Sequence, residues 1–201
     1  MKISILLVSL CSLLAIGCGH ADDGHDDHEN EVITTVSLSF TPAGGGAAIV
    51  AAFDDPDGDG GDPPTIDTID LVAGAYTAAL VFENGLESPP EDITEEIADE
   101  SHEHQIFFTG SAVDGPASDN PGAPLAHSYA DQDVNGLPIG LVNTFTATAG
   151  AGELTVTLRH LPPVGGTAVK TEDIAADVRE GGFSAIAGTS DSQVNFSVVV
   201  Q

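Results

Sequence analysis

From Val32 onward the chain reads as short runs rich in Val, Ile, Thr, Phe and Ala, separated by clusters of Gly, Pro, Asp and Asn. That is the pattern of strands joined by turns. In Leu154-Thr155-Val156-Thr157-Leu158 and Val194-Asn195-Phe196-Ser197-Val198 the apolar period is two, so each segment offers one apolar face and one polar face. Strands are predicted over residues 32–41, 47–53, 65–71, 76–83, 104–110, 125–129, 141–147, 153–160 and 193–200. Two stretches break the pattern. Residues 89–101, PPEDITEEIADES, open with proline and acid and then place Ile93 and Ile97 four residues apart. Residues 172–180, EDIAADVRE, do the same with Ile174 and Val178. Both spacings predict a short helix held down by one apolar stripe.

The fold class that follows is all-β. Leu71-Val72-Ala73-Gly74-Ala75-Tyr76 is similar to the approach to a late strand in immunoglobulin-like sandwiches, where a tyrosine pins a corner. An immunoglobulin-like β-sandwich is therefore expected, with a meander β-barrel as the alternative. A shift of 76 residues lays Asp55-Pro56-Asp57-Gly58-Asp59-Gly60 on Asp131-Gln132-Asp133-Val134-Asn135-Gly136, Gly74 on Gly150, and Leu80 and Phe82 on Val156 and Leu158. This reads either as an internal duplication with halves 32–103 and 104–201, or as the coincidence that two β-rich segments often produce.

The N-terminus is organised differently. Met1 and Lys2 precede an apolar run over residues 3–16 that is too short for a bilayer of about 30 Å. It has the layout of a signal peptide over residues 1–17. Leu14-Ala15-Ile16-Gly17-Cys18 resembles the lipobox of bacterial lipoproteins. That resemblance implies diacylglycerol on the Cys18 thiol, cleavage before it and acylation of the new amine. Each buried methylene then contributes ~0.8 kcal/mol of membrane binding. Gly19 stands where an Asp would retain such a protein in the inner membrane, which favours the outer membrane. Residues 18–31, CGHADDGHDDHENE, contain no apolar side chain larger than alanine. They are expected to form a disordered, acidic, His-rich tether leading to a β-domain over residues 32–201.

Charge narrows the partners. The chain has 32 acidic residues against 4 basic ones, a formal net charge of −28. Without cations to neutralise phosphates, nucleic acid is excluded as a partner, and anionic headgroups repel the domain. With Cys11 in the signal and Cys18 lipidated, no disulfide is available, so the domain must rest on its core.

Three constellations could hold cations. Asp55, Asp57 and Asp59 with Gly60, supplemented by Asp62, match the start of a calcium loop, as do Asp131, Asp133 and Asn135 with Gly136. The bidentate Glu of an EF-hand is missing from both, since Ile66 and Val142 occupy its position. The same residue types also make ordinary polar turns. His20, His25 and His28 lie among carboxylates in the tether and could capture a transition metal loosely. His102 and His104, at strand spacing i and i+2, could share a zinc ion with His160 and one carboxylate, Glu95, Glu96, Asp99 and Glu100 standing just before them, or could simply cap the start of the strand in solvent. Catalytic signatures are absent: there is no Gly-x-Ser-x-Gly elbow, P-loop, dinucleotide fingerprint or HExxH. With no Trp and two Tyr, a stacking platform for sugars is poor.

Several segments together resemble a group of lipoproteins from marine bacteria of the Bacteroidota type, labelled "type 1 periplasmic binding fold superfamily". They are Glu31-Val32-Ile33-Thr34-Thr35-Val36, the loop DDPDGDGG at 54–61, Ile93-Thr94-Glu95-Glu96-Ile97, Glu103-His104-Gln105-Ile106-Phe107-Phe108 and Leu154-Thr155-Val156-Thr157-Leu158-Arg159-His160. The label implies a two-domain α/β protein, whereas the short strands imply all-β. The group carries no established activity, but its motifs include His104 and His160. The expectation is a lipid-anchored, non-catalytic, metal-binding β-domain, using calcium in the acidic loops or zinc at the histidines. Its partner would be an outer-membrane receptor or another surface protein. The competing expectation is a structural or adhesive surface module whose acidic loops are only turns.

Overall fold

The computed structural model describes residues 32–58 and 60–201. Two β-sheets enclose a common core, with two short helices set against them. The larger sheet follows the path β3 (Thr65–Ile66), β2 (Ile49–Asp54), β1 (Thr35–Pro42), β5 (Gly74–Asn84), β10 (Val142–Ala147), β9 (Leu125–Tyr129) and β8 (Val113–Asp114). The two-residue β6 (Glu91–Asp92) pairs with the end of β5. The smaller sheet runs β4 (Ile69–Leu71), β12 (Thr189–Val200), β11 (Gly150–His160) and β7 (His104–Thr109). The large sheet curls as a half-barrel, and its path ends at β3 and β8 without closing. The all-β sandwich expected from the sequence is what forms, not the two-domain α/β architecture of the group's label.

The period-two pattern explains why the sheets face each other. In β1, Val36, Leu38 and Phe40 are buried while Ser37 and Ser39 turn away. In β5, Tyr76, Ala78, Leu80 and Phe82 alternate with more exposed residues, and in β12, Val194, Phe196, Val198 and Val200 do so. These rows merge into one core with Phe108, Phe145, Leu154, Val156 and Leu158, so residues from both halves of the chain share a single interior. Burying a side chain such as Phe or Leu contributes roughly 1.5–3 kcal/mol.

Strand β7 departs from alternation because both its faces are covered. Ile106 and Phe108 enter the main core, while Phe107 packs with Leu161, Ile174, Ala175 and Val178 in a second cluster beneath α2 (Ile174–Gly181). The first helix, α1 (Ile93–Asp99), begins where the Asp92 carboxylate accepts a hydrogen bond from the Thr94 amide at 2.9 Å. It drives Ile93 and Ile97 into the main core, as their spacing predicted. Tyr76 does pin a corner: its hydroxyl donates to the Val72 carbonyl at 2.7 Å.

The single strand expected over residues 65–71 divides between the sheets. Thr65 and Ile66 pair antiparallel with β2, and Asp67 remains hooked to Ala52 through its backbone and its carboxylate. The chain then crosses, and Ile69–Leu71 pairs parallel with β12. The 76-residue spacing recurs in β5 and β11, each 11 residues long, starting at Gly74 and Gly150 and lying inside its sheet. Strand pairing follows the spacing only in part. β2 pairs antiparallel with β1, and β9 pairs with β8 at the equivalent position, but parallel; β1 also pairs with β5, whereas β8 and β11 lie in different sheets.

Candidate metal centre

Antiparallel pairing of β7 with β11 sets His104 directly opposite His160. Directly opposed residues on one face come close enough for their side chains to meet. Here the imidazoles stack, with centroids 4.8 Å apart and planes 14° from parallel. The turn after α1 adds carboxylates. One ligand atom from each of Glu100, His104 and His160 lies within 4.8 Å of the others. Glu103 reaches His160 Nε2 with Oε2 at 3.6 Å. The Leu161 amide donates to the Glu103 carbonyl at 2.6 Å, tying this turn to the end of β11.

A third acid enters from the last strand. The β11–β12 register slips between Leu158 and Arg159: Leu158 opposes Ser192 and Arg159 opposes Ser190, which leaves Asp191 as the extra residue of a bulge. Bulges re-aim a side chain relative to the flanking alternation. Asp191 Oδ2 lies 3.8 Å from His104 Nε2. Arg159 holds the approach to this bulge, donating to the Ser190 hydroxyl and to the Ala187 and Gly188 carbonyls while its guanidinium covers the Phe183 ring. Gly188 has φ +92°, and a Cβ there would collide with the His160 carbonyl, so the close approach requires glycine.

Burial dictates the protonation states. Removal from water, reinforced by the His160 ring, pushes His104 down to about 4. It is therefore a neutral imidazole near neutral pH, the form that binds metal. Burial pushes Asp191 up to about 6, against the opposing pull of His160 and Arg159.

The other expected ligands are placed elsewhere. His102 is half exposed in the turn before β7, 3.4 Å from Glu103 Oε1, and does not join the His104–His160 cluster. The strand begins at His104, so the i, i+2 rule does not extend back to His102. Glu100 occupies the third position among the described residues.

In the second acidic loop the carboxylates already have partners. Asp131 accepts from the Gly140 and Val142 amides, each at 2.8 Å. Asp133 Oδ1 accepts from Asn135 and Leu137, and its Oδ2 lies 3.0 Å from Lys170 Nζ. Burial works to raise the Asp133 carboxyl, but the Leu137 and Asn135 amides and the lysine outweigh it and hold it below its usual value. Asn135 is exposed. In the first loop the Asp57 carboxylate accepts from the Asp62 amide at 3.1 Å, and the Gly58 amide donates to the Asp55 carbonyl at 3.3 Å. Asp59 lies outside the described residues, as do Cys18, His20, His25 and His28.

Asp191 belongs to no motif legible in the sequence; its only signal is an acid between two serines at the head of a strongly alternating strand. No helix among the described residues is long and apolar enough to cross a membrane. Neither a protein-family model, nor a curated protein, nor a solved structure matches the chain.

Proposed function

We propose that this chain is a lipid-anchored protein of the bacterial cell envelope whose non-catalytic β-domain binds a divalent transition metal, zinc foremost, at His104 and His160 with a neighbouring carboxylate. The observation that carries the reading is the cross-strand histidine pair, drawn from two strands and joined by an acid within 4.8 Å. Two imidazoles with carboxylate favour zinc and its neighbours over calcium or magnesium, which prefer oxygen alone. Zinc–nitrogen bonds of about 2.0–2.1 Å require the donors to converge, so the stacked rings turn out of their parallel arrangement when an ion binds. In this reading the anchor is lipid on Cys18, the tether residues 18–31 carry a further capture tract in His20, His25 and His28, and the partner is an outer-membrane receptor or surface protein.

Thermal melts of the full chain in EDTA, Zn²⁺ and Ca²⁺ test the metal. A ligand that binds only the folded state raises the melting temperature by linkage, about 2.7 kcal/mol at a hundredfold excess over Kd. Zinc should raise the melting temperature, and His104→Ala and His160→Ala should abolish the rise while His102→Ala keeps it. No shift with zinc sinks the reading. The anchor is tested by Cys18→Ser, which should release the protein from membranes; persistent attachment overturns that part.

A second reading, a structural or adhesive module, is favoured by one observation. The second acidic loop uses Asp131 and Asp133 to hold its own amides and Lys170, which is the work of a turn. Stabilisation by neither ion would leave this reading in place.

A further inference from the structure

Asp191 is buried without the partners a carboxylate ordinarily has. Its side chain is 1% exposed, and neither oxygen has a hydrogen-bond partner. Burying an ionised group without compensation is expensive, so native structures nearly always pair it. Arg159 gives the hydrogen bonds of its two terminal nitrogens to Ser190, Ala187 and Gly188, and acts on Asp191 as a nearby charge without a hydrogen bond. What stands near Asp191 Oδ2 is His104 Nε2, 3.8 Å away.

The other nitrogen of that ring sets its tautomer. His104 Nδ1 lies 3.3 Å from the Glu100 carbonyl oxygen, which can only accept, so Nδ1 carries the proton and Nε2 presents a lone pair. A ring nitrogen tied to a backbone carbonyl while its opposite number is left bare is the usual arrangement of a metal-ligating histidine. Two electron-pair donors therefore stand 3.8 Å apart with no proton assigned between them. Zinc bonds of about 2.1 Å to nitrogen and to oxygen span that gap at an angle of about 130°, which a small side-chain rotation brings to tetrahedral.

We propose that Asp191 is the carboxylate ligand of the metal centre. The ion sits between His104 Nε2 and Asp191, His160 is the third protein ligand, and Glu100 orients His104 through its backbone carbonyl. This assignment rests on the metal reading of the two histidines and adds the acid that completes it. It also explains the bulge, which turns one residue of β12 toward the histidines at the cost of a ladder position.

The test is zinc titration calorimetry on the full chain in detergent, carrying His20→Ala, His25→Ala and His28→Ala so that the tether does not compete. Asp191→Asn and Glu100→Gln are added singly to that background, with metal-free melts of each. Asp191→Asn should weaken zinc binding by more than about tenfold, while its metal-free melting temperature stays level or rises, because a buried carboxylate that accepts no hydrogen bond has been replaced by a neutral group of the same shape. Glu100→Gln should weaken binding by less than about fivefold, the scale of an exposed charge. Zinc bound equally well by Asp191→Asn overturns the assignment and leaves the histidine reading standing. Weaker binding together with a lower metal-free melting temperature makes Asp191 a structural residue and also overturns it. A background chain that binds no zinc removes the metal reading itself.

Discussion

Lys170 Nζ sits 3.0 Å from Asp133 Oδ2, with both side chains out of solvent, and donates a further hydrogen bond to the Ser101 carbonyl at 2.7 Å. One ammonium thus fastens together the second acidic loop, the turn after α1 and the segment leading to α2. Burial lowers the Lys170 pKa, and Asp133 opposes that shift. Removing one partner of a buried pair strands the other charge. Lys170→Met should therefore destabilise the domain by about 3 kcal/mol in urea unfolding, and Lys170→Met with Asp133→Asn should recover part of the loss. A single variant within about 0.5 kcal/mol of wild type would show that the pair carries no structural weight.

The two hydrogen bonds accepted by Asp131 predict how its loop answers calcium. Both oxygens serve backbone amides, of Gly140 and Val142, and bonds to a charged acceptor contribute roughly 1.5–3 kcal/mol each at most. Asp131→Ala should cost about 2 kcal/mol, by the same amount in EDTA and in millimolar Ca²⁺. A loss seen only with calcium present would reassign Asp131 as a calcium ligand.

His127 gives the domain a measurable pH dependence. The ring is enclosed by Phe108, Tyr129 and Phe145, and its Nε2 lies 2.9 Å from Asn143 Oδ1. Burial pushes its pKa from 6.5 down to about 4, against the Asn143 hydrogen bond and the Asp131 charge. Between those values the unfolded chain takes up a proton that the folded chain refuses. The His127 contribution to stability is therefore full above pH 6.5 and is lost as pH falls toward 4, by roughly 3 kcal/mol at about 1.4 kcal/mol per unit. Denaturant unfolding at pH 7 and pH 4.5 should show a smaller acid loss in His127→Phe than in wild type. Equal losses would remove His127 as the source.

Tyr76 and Ile97 separate a directed contact from bulk burial. Tyr76→Phe deletes the bond to the Val72 carbonyl and should cost about 1 kcal/mol. Ile97→Ala leaves a cavity under α1, where Ile97 is fully buried, and should cost about 2–5 kcal/mol. Equilibrium urea unfolding ranks the two. The reverse order would mean that the helix is not held by its isoleucine stripe.

The strand over residues 125–129 and both helices were legible because each is written in local periodicity. β6 and β8 were not, since two-residue strands such as Glu91–Asp92 and Val113–Asp114 are too short to display a period. The break within 65–71 was hidden for another reason. Ile66 and Ile69 both suit a strand, and only pairing with β2 on one side and β12 on the other sends them to different sheets. His102 looked equivalent to His104 from spacing alone, but the β7 ladder starts one turn too late to include it.

The amino-acid sequence by itself determined the class of each long element and the face it buries, because the hydrophobic effect acts on a period that reads out within ten residues. Tertiary structure alone decided which strands meet and in what register. Register brings His104 to His160 across 56 positions of chain. A single slipped residue in that same small sheet turns Asp191 toward them. Long-range packing places Lys170 in the loop where a calcium ion was expected. Those contacts are chosen by the whole core folding at once, so no local pattern records them.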